Sequence, residues 1–290
     1  MKKIVKELLN FAPIFLASLI FFDSTGMKVE ITKVPQRIIS LSPSITESLF
    51  ELGIGDRIVG VTIYCNRPPE AKSKEKVGTL LNVNLEKIIT LKPDIIFIGE
   101  EGNRPEIIRK LRKVSINVFA FGKVENFKKA CQDFQMLGEI AGRKNRAKNI
   151  VKEITKKMEE IKKRIKNMPP VKVFCQLGSD PIVTAGKGTF IDELIHIAGG
   201  INIAHNITQR YARFSREQVI KKNPDVIIIV TMGEYTEKEK KTWYKFKELP
   251  AVKNNRIYII DADLVCRPAP TVLIEGLKEI AKCIHQEVFK

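Results

Sequence analysis

The segment EQVIKKNPDVIII, residues 217–229, repeats in altered form a segment of the first half of the chain, EKIITLKPDIIFI, residues 86–98. Each copy begins with Glu, has an apolar pair two and three residues later, and then places Pro-Asp before an apolar run. Apolar residues at helical spacing, followed by Pro and an apolar run, predict a short helix and then a buried strand. Two copies of this helix–strand unit predict two similar lobes.

Alternating helix and strand patterns surround both copies. In the first half, apolar runs predict strands at 37–41, 58–62 and 117–121, and helical spacing predicts helices at 45–52, 104–114 and 127–141. In the second half, the same patterns predict strands at 171–176 and 256–260 and helices at 189–197 and 271–284. Parallel strands need crossover connections, so this alternation predicts an α/β fold with two Rossmann-like lobes and parallel sheets.

A long charged helical pattern over residues 143–168 separates the two halves. It contains no Gly or Pro and ends at Pro169 and Pro170. We interpret it as one helix that connects the lobes; a surface helix belonging to a single lobe is the alternative. The predicted organisation is a first lobe over 30–142, a connecting helix over 143–169 and a second lobe over 170–290.

The first 26 residues have the pattern of a targeting segment. Lys2, Lys3 and Lys6 form a positive start, and an apolar run follows over residues 11–22. That run is shorter than the ~20 residues needed to span a bilayer, and its length is typical of a signal-peptide core. We predict a signal peptide over residues 1–26 and a periplasmic or extracytoplasmic location; an uncleaved N-terminal anchor is the alternative.

The chain of 290 residues is strongly basic, with 50 Lys and Arg against 33 Asp and Glu and a formal net charge of +17. A basic balance raises nucleic acid as a partner. The densest basic run, residues 144–166, alternates with Glu153, Glu159 and Glu160 at helical spacing. Such alternation is typical of a solvated helix face, so we expect no nucleic-acid partner.

The motifs of serine hydrolases, zinc proteases and dinucleotide-binding enzymes are absent from the sequence. The segment GKGT, residues 186–189, lacks the ending of a phosphate-binding loop, and we interpret it as a turn that starts a helix. His205 follows a Gly-Gly-Ile-Asn turn and could ligate a metal from a loop. We expect no enzyme activity and no cofactor; a metal-dependent enzyme on a similar two-lobed frame is the competing class.

Polar and aromatic residues lie on loops next to the predicted strands in both halves. They occur at residues 64–67, 79–80, 211–213 and 263–267. Loops at the carboxyl ends of parallel strands are the usual ligand-binding positions in such folds. Because these loops belong to both halves, we predict a ligand cleft between the lobes.

Five stretches, taken in order, carry a family resemblance. They are RIISLSPSITESLFELGIGDRIVGVT at 37–62, NLEKIITLKPDIIFI at 84–98, TAGKGTFIDELIHIAGGINIA at 184–204, FSREQVIKKNPDVIII at 214–229 and DADLVCRPAP at 261–270. The chain resembles the substrate-binding proteins of ABC importers that handle vitamin B12, iron-siderophores and haem. It is most similar to the periplasmic vitamin B12-binding proteins, over about residues 35 to 285.

The resemblance implies a receptor that captures cobalamin or a related corrinoid and delivers it to an ABC permease dimer. Receptors for iron-siderophores, haem or an oxyanion share the same pattern. It also implies two lobes joined by one long helix, with modest hinge motion. A monomer is expected, which reaches the membrane surface only through the permease or through an uncleaved leader.

Carried onto this sequence, the ligand cleft would use Tyr64 and Leu80 from the first lobe. Tyr211, Asp263 and Arg267 would come from the second lobe. The vitamin B12-binding proteins resembled here have Trp where Leu80 and Tyr211 stand. This chain therefore offers less aromatic area for stacking on a corrin face, although both residues still provide apolar contact.

Cys65 and Cys266 lie beside proposed cleft residues. They could ligate a metal centre, pair with each other or be incidental thiols. The five cysteines are odd in number and include no CxxC, which supports neither a disulfide scaffold nor a structural zinc site.

Glu86 and Glu217 occupy the same position in the two copies of the repeat. Asn84 and Ser215 precede the two short helices as candidate N-caps, and each Glu falls in the first turn. A negative side chain there stabilises a helix by ~0.3–1 kcal/mol, which suffices as a structural account. The functional alternative is that the two glutamates are equivalent acidic contact residues for a two-fold-symmetric basic partner. The resemblance implies that they dock onto arginines of the permease.

Overall fold

The computed structural model describes residues 18–100, 105–114, 116–231 and 236–289.

The first lobe is a parallel α/β unit. The strands of this lobe are β3 (Ile38–Ser40), β4 (Ile58–Val61), β5 (Ile95–Gly99) and β6 (Val118–Phe121), in the order β4-β3-β5-β6. Its helices are α1 (Pro43–Glu51), α2 (Leu85–Thr90), α3 (Pro105–Lys113) and α4 (Phe127–Ile140). All neighbouring strand pairs are parallel, as the alternation of helix and strand predicts.

An antiparallel hairpin of β1 (Leu19–Phe22) and β2 (Lys28–Ile31) precedes this sheet. Phe21 packs edge-on against Phe119, and the buried Asp23 accepts hydrogen bonds from Arg112 and from the Ala120 backbone N–H. Part of the predicted leader, residues 1–17, lies outside the described residues. The fold therefore extends upstream of the predicted boundary at residue 26, because the end of the apolar run packs on the first lobe.

A single long helix, α5 (Lys144–Ile165), follows the first lobe. It lies within the predicted 143–169 segment. Ala147 is buried in the core of the first lobe, whereas Ile154, Met158 and Ile161 are buried with residues of the second lobe. Since apolar residues recur at helical spacing along its whole length, one rigid element contacts both cores. None of the described helices combines the length and the apolar character needed to cross a bilayer.

The second lobe is built on a six-stranded sheet. Its strands are β7 (Val171–Ser179), β8 (Ile182–Ala185), β9 (Gly200–Asn202), β10 (Tyr211–Phe214), β11 (Val226–Val230) and β12 (Ile257–Ile260). Its helices are α6 (Phe190–Ile197), α7 (Arg216–Lys222), α8 (Thr236–Trp243), α9 (Pro250–Lys253), α10 (Ala262–Val265) and α11 (Pro270–Ile284). The two lobes joined by one long helix confirm the predicted fold class.

This second sheet is mixed rather than purely parallel. β7 pairs in parallel with β9 and β11, and β11 pairs in parallel with β12. At one edge, β8 pairs antiparallel with β7, and β10 pairs antiparallel with β8. A tight turn at Asp180-Pro181 folds the chain back from β7 into β8. The sequence prediction of parallel strands therefore does not hold at this edge.

The repeated segment forms the same unit in both lobes. Asn84 Oδ1 accepts from the Lys87 backbone N–H to cap α2, and Ser215 Oγ accepts from the Gln218 N–H to cap α7. Both capping predictions are confirmed. The helices lead into β5 and β11, whose strand residues are buried on both faces as expected of central parallel strands.

The aspartates of the two Pro-Asp pairs also have equivalent roles. Asp94 Oδ2 accepts hydrogen bonds from the Gln36 and Arg37 backbone N–H groups, just before β3. Asp225 Oδ2 accepts from the Lys172 backbone N–H at the start of β7. Each aspartate therefore fixes the beginning of the neighbouring strand, and this accounts structurally for the repetition of Pro-Asp.

Candidate functional site

A largely apolar cavity of about 230 Å³ lies where the two lobes meet. The first lobe lines it with the N-terminus of α1, the ends of β5 and β6, and one face of α4. The second lobe contributes Phe190 at the start of α6, Tyr211 on β10 and the connection between α10 and α11. The cavity therefore lies at the carboxyl ends of first-lobe strands, where α/β folds bind ligands.

Local sequence explains why these elements present residues to the cavity. Pro43 stands at the start of α1, so the strand β3 turns into a helix whose first residues line the cavity. Asp261 caps α10 by accepting from the Asp263 backbone N–H, and Pro270 starts α11. Residues 266–268 lie between the end of α10 and the start of α11, and they line the cavity.

The structure brings three of the five predicted ligand residues to this cavity. Leu80, Tyr211 and Arg267 line it. Asp263 lies four residues before Arg267 and pairs with it. Tyr64, on the loop after β4, is exposed and is not among the residues that line the cavity.

Arg267 joins the two lobes through its guanidinium group. Its Nη1 donates to Glu47 Oε1 on α1 at 2.6 Å, and its Nη2 donates to Asn66 Oδ1 at 2.7 Å. Nη2 also lies 2.7 Å from Asp263 Oδ1 within the second lobe. The Arg267 side chain is 12% exposed and that of Glu47 is 5% exposed, so this is a buried ion pair between lobes.

A second cross-lobe contact lies one helical turn further along α1. Thr271, at the N-terminus of α11, donates a hydrogen bond to Glu51 Oε1. An adjoining groove of about 510 Å³ is lined by both glutamates of α1, by Arg67 and by Glu275. Burial, reinforced by the carboxylates of Glu47 and Glu275, raises the pKa of Glu51 to about 8.

This raised pKa predicts that stability depends on pH, and Glu51→Gln should make that dependence smaller. The folded state holds a proton on Glu51 that the unfolded chain releases near the ordinary carboxyl pKa of 4.5. The stability contributed by that proton is therefore complete below about pH 4.5 and is lost as pH rises to about 8. Melting temperatures at pH 5 and pH 8.5 should differ less in Glu51→Gln than in the wild type, whereas the exposed Glu70→Gln should behave as wild type. An equal difference in all three proteins would contradict this assignment.

The two predicted docking residues occupy equivalent exposed positions. Glu86 lies in the first turn of α2, and Glu217 lies in the first turn of α7. The Ser215 hydroxyl lowers the pKa of Glu217, so this carboxylate is charged at neutral pH. Exposure of both side chains leaves them accessible to a basic partner surface.

Among the described residues, the surroundings of the cysteines and of His205 indicate neither a disulfide nor a metal site. None of the five cysteines, all of which lie within the described ranges, forms a disulfide, so Cys65 and Cys266 are not paired with each other. Cys65 is buried and Cys266 lines the cavity. His205 Nδ1 lies 2.9 Å from Asp192 Oδ2. Within the described ranges, no three His, Cys, Asp or Glu side chains converge in a way that could hold a metal ion.

Two acidic residues at the site were missed by sequence reasoning. Glu47 pairs with Arg267, and Asp133 on α4 lines the cavity. Burial raises the pKa of both carboxyl groups. A signal was available for Asp133, because it shares the apolar face of α4 with Ala130, Phe134 and Leu137. An acidic residue on a buried helix face is informative, since charged side chains are rarely buried without a partner.

Comparison with known proteins identifies the family. A family model described as periplasmic binding protein matches residues 38–264. The chain belongs to the periplasmic binding protein family. This periplasmic binding protein is 35% identical, over 92% of its own length and 86% of the relative's, to an uncharacterized ABC transporter substrate-binding lipoprotein, YvrC, of Bacillus subtilis. It is 30% identical to the vitamin B12-binding protein of Vibrio cholerae, over 82% of this chain and 85% of the relative.

Solved structures agree with that membership. The crystal structure of the periplasmic vitamin B12-binding protein of Vibrio cholerae matches with a TM-score of 0.78 and 28% identity, covering 89% of this chain and 99% of the other. A periplasmic solute-binding protein of Staphylococcus epidermidis, described as a possible iron-binding protein, matches with a TM-score of 0.76 and 32% identity, covering 87% and 99%. The two solved matches are thus a vitamin B12-binding protein and a solute-binding protein described as possibly iron-binding. Family membership implies a small-molecule ligand and an ABC permease as partner.

Proposed function

We propose that this protein captures cobalamin or a related corrinoid outside the cytoplasmic membrane and delivers it to the permease of an ABC importer. The observation that carries the proposal is the largely apolar cavity formed jointly by both lobes, with the Arg267 guanidinium on its wall. Ligand sites are typically apolar with a few placed polar groups that fix orientation. The similarity to vitamin B12-binding proteins over most of the chain supports the ligand class.

The residues on the cavity wall suit a large, flat, amide-bearing ligand. Tyr211 is 43% exposed and lines the cavity with an aromatic side chain, and Leu80 adds aliphatic contact. A corrinoid is several times larger than a cavity of about 230 Å³. Binding therefore requires the lobes to part along the contacts that Arg267 makes with Glu47 and Asn66, and the guanidinium then becomes available to the ligand.

Export and delivery complete the proposal. The N-terminal segment would carry the protein out of the cytoplasm, as a cleaved signal or as an anchor. Glu86 and Glu217, one on each lobe, would contact basic residues of a two-fold-symmetric permease. Their equivalent places in α2 and α7 support this role, because a symmetric partner requires matched contacts.

An iron-chelate receptor is the second candidate. The relative from Staphylococcus epidermidis that is described as possibly iron-binding shares 32% identity with this chain, which is more than either vitamin B12-binding match shares. Leu80 and Tyr211 also offer less aromatic area than two tryptophans would. A smaller chelate would need less stacking area and less separation of the lobes.

A competition experiment separates these candidates. The purified protein is mixed with equal concentrations of cyanocobalamin, cobinamide, haemin and a ferric trihydroxamate, and the fraction retained after gel filtration is identified by its absorption spectrum and mass. We expect a corrinoid to be retained in preference to the iron compounds. Retention of an iron compound alone would contradict the corrinoid proposal and favour the second candidate.

A further inference from the structure

The carboxylate of Asp133 is a buried polar group that no role described above uses. It lies on α4 and lines the cavity between the lobes. Lys129, one turn earlier on the same helix, donates to Asp133 Oδ1 at 2.5 Å. Oδ2 is buried, and no group among the described residues donates a hydrogen bond to it. A ligand cavity is therefore lined by a carboxyl group with one unused acceptor.

The side chains around this acceptor are largely apolar. Phe121, Phe134, Leu137 and Phe190 form much of the nearby lining. A buried acceptor without a donor costs about 1–3 kcal/mol, and the cost is larger for a charged group. Native proteins rarely retain such a cost unless the group serves a ligand, a water or catalysis.

We propose that Asp133 is a specificity-determining residue, whose Oδ2 accepts a hydrogen bond from an amide N–H or hydroxyl group of the ligand and disfavours a ligand carboxylate at the same place. The inference rests on the proposed function, because it concerns the same cleft. Corrinoids carry peripheral carboxamides, which donate hydrogen bonds. Haem carries propionates, which at neutral pH are ionised acceptors and would meet the Asp133 carboxylate as like charges.

The selection works through the geometry of a fixed helix. Ala130 and Leu137 anchor the same face of α4 in the core, so the position of Asp133 is set by the helix rather than by a loop. Lys129 fixes the rotation of the carboxyl group by holding Oδ1. Oδ2 is buried in this arrangement, so a ligand donor reaches it only when the lobes part, and it then meets an acceptor that the helix and Lys129 already orient.

The test uses the full chain with three variants. Asp133→Ala removes the acceptor, Asp133→Asn removes the charge at nearly constant shape, and Asp56→Asn is a matched control at an exposed position. The probes are cyanocobalamin, its isolated monocarboxylate hydrolysis products, haemin and a neutral ferric trihydroxamate. Affinities come from titration calorimetry, and thermal melting checks that each variant is folded.

We expect Asp133→Ala to weaken cyanocobalamin binding about 10- to 100-fold, the range for loss of a hydrogen bond to a charged group. One monocarboxylate isomer should bind the wild type at least tenfold more weakly than cyanocobalamin, and Asp133→Asn should restore it. Asp56→Asn should match the wild type for every probe. If only the neutral iron chelate binds and Asp133→Ala weakens it, the corrinoid proposal fails and this inference stands.

Three results would overturn the inference. Equal binding of cyanocobalamin by wild type and Asp133→Ala would remove Asp133 from recognition while leaving the corrinoid proposal intact. Preferred binding of haemin by the wild type would overturn both, because a carboxylate-bearing ligand would then be accepted. The absence of binding by any probe would also overturn both.

Discussion

Replacing Glu86 and Glu217 together by alanine should abolish most ligand uptake through the permease while leaving ligand affinity unchanged. The two side chains are exposed at equivalent positions of α2 and α7, one on each lobe. Neither lines the cavity, so binding has no reason to change. Loss of both charges would remove the proposed matched contacts to a basic, two-fold-symmetric partner, and we expect uptake to fall at least tenfold.

The measurement is uptake of labelled ligand in proteoliposomes that contain the permease, together with calorimetric affinity of the free protein. Glu153→Ala combined with Glu160→Ala is the matched control, because it removes the same charge from the exposed face of α5. Uptake by the Glu86/Glu217 variant equal to that of this control would remove the two glutamates from permease docking.

The second large effect is expected for Arg267→Ala, which should lower both ligand affinity and stability. The guanidinium lines the cavity and pairs with the buried Glu47. Removing one partner of a buried ion pair leaves an uncompensated charge and costs about 3–5 kcal/mol of unfolding free energy. Ligand affinity should fall at least tenfold, because the guanidinium proposed to donate hydrogen bonds to ligand carbonyl or phosphate oxygens is lost.

Urea unfolding and calorimetry separate the two effects. Combining Arg267→Ala with Glu47→Gln should recover much of the lost stability, because no unpaired charge then remains, but it should leave the ligand affinity low. Arg109→Ala, at an exposed position on α3, serves as the control. Wild-type ligand affinity in Arg267→Ala would show that this residue acts only between the lobes.

The fold is largely predictable because its signals are local. The caps Asn84 and Ser215, the Pro-Asp pairs and the apolar runs after them each act over a few residues. The antiparallel edge formed by β8 and β10 was missed, since these short strands give weak patterns and their pairing depends on the turn after β7.

The site was predictable only in outline. Leu80, Tyr211 and Arg267 were found because their segments adjoin predicted strands. The prediction of a loop was wrong for Tyr211, which begins strand β10. The pairing of Arg267 with Glu47 was not predictable, because it joins positions that are distant in the chain and depends on how the lobes meet. Sequence alone shows that a polar group lies on a helix, but only packing shows which of its atoms lack partners.

Calorimetric titration with cyanocobalamin decides whether this protein binds a corrinoid. We expect binding of one corrinoid per chain with a dissociation constant below about 1 μM, equivalent to about −8 kcal/mol. Heat of binding at that affinity would establish a corrinoid receptor. No detectable binding of cyanocobalamin or cobinamide would contradict the proposed ligand, while the two-lobed fold and its membership of the family would stand.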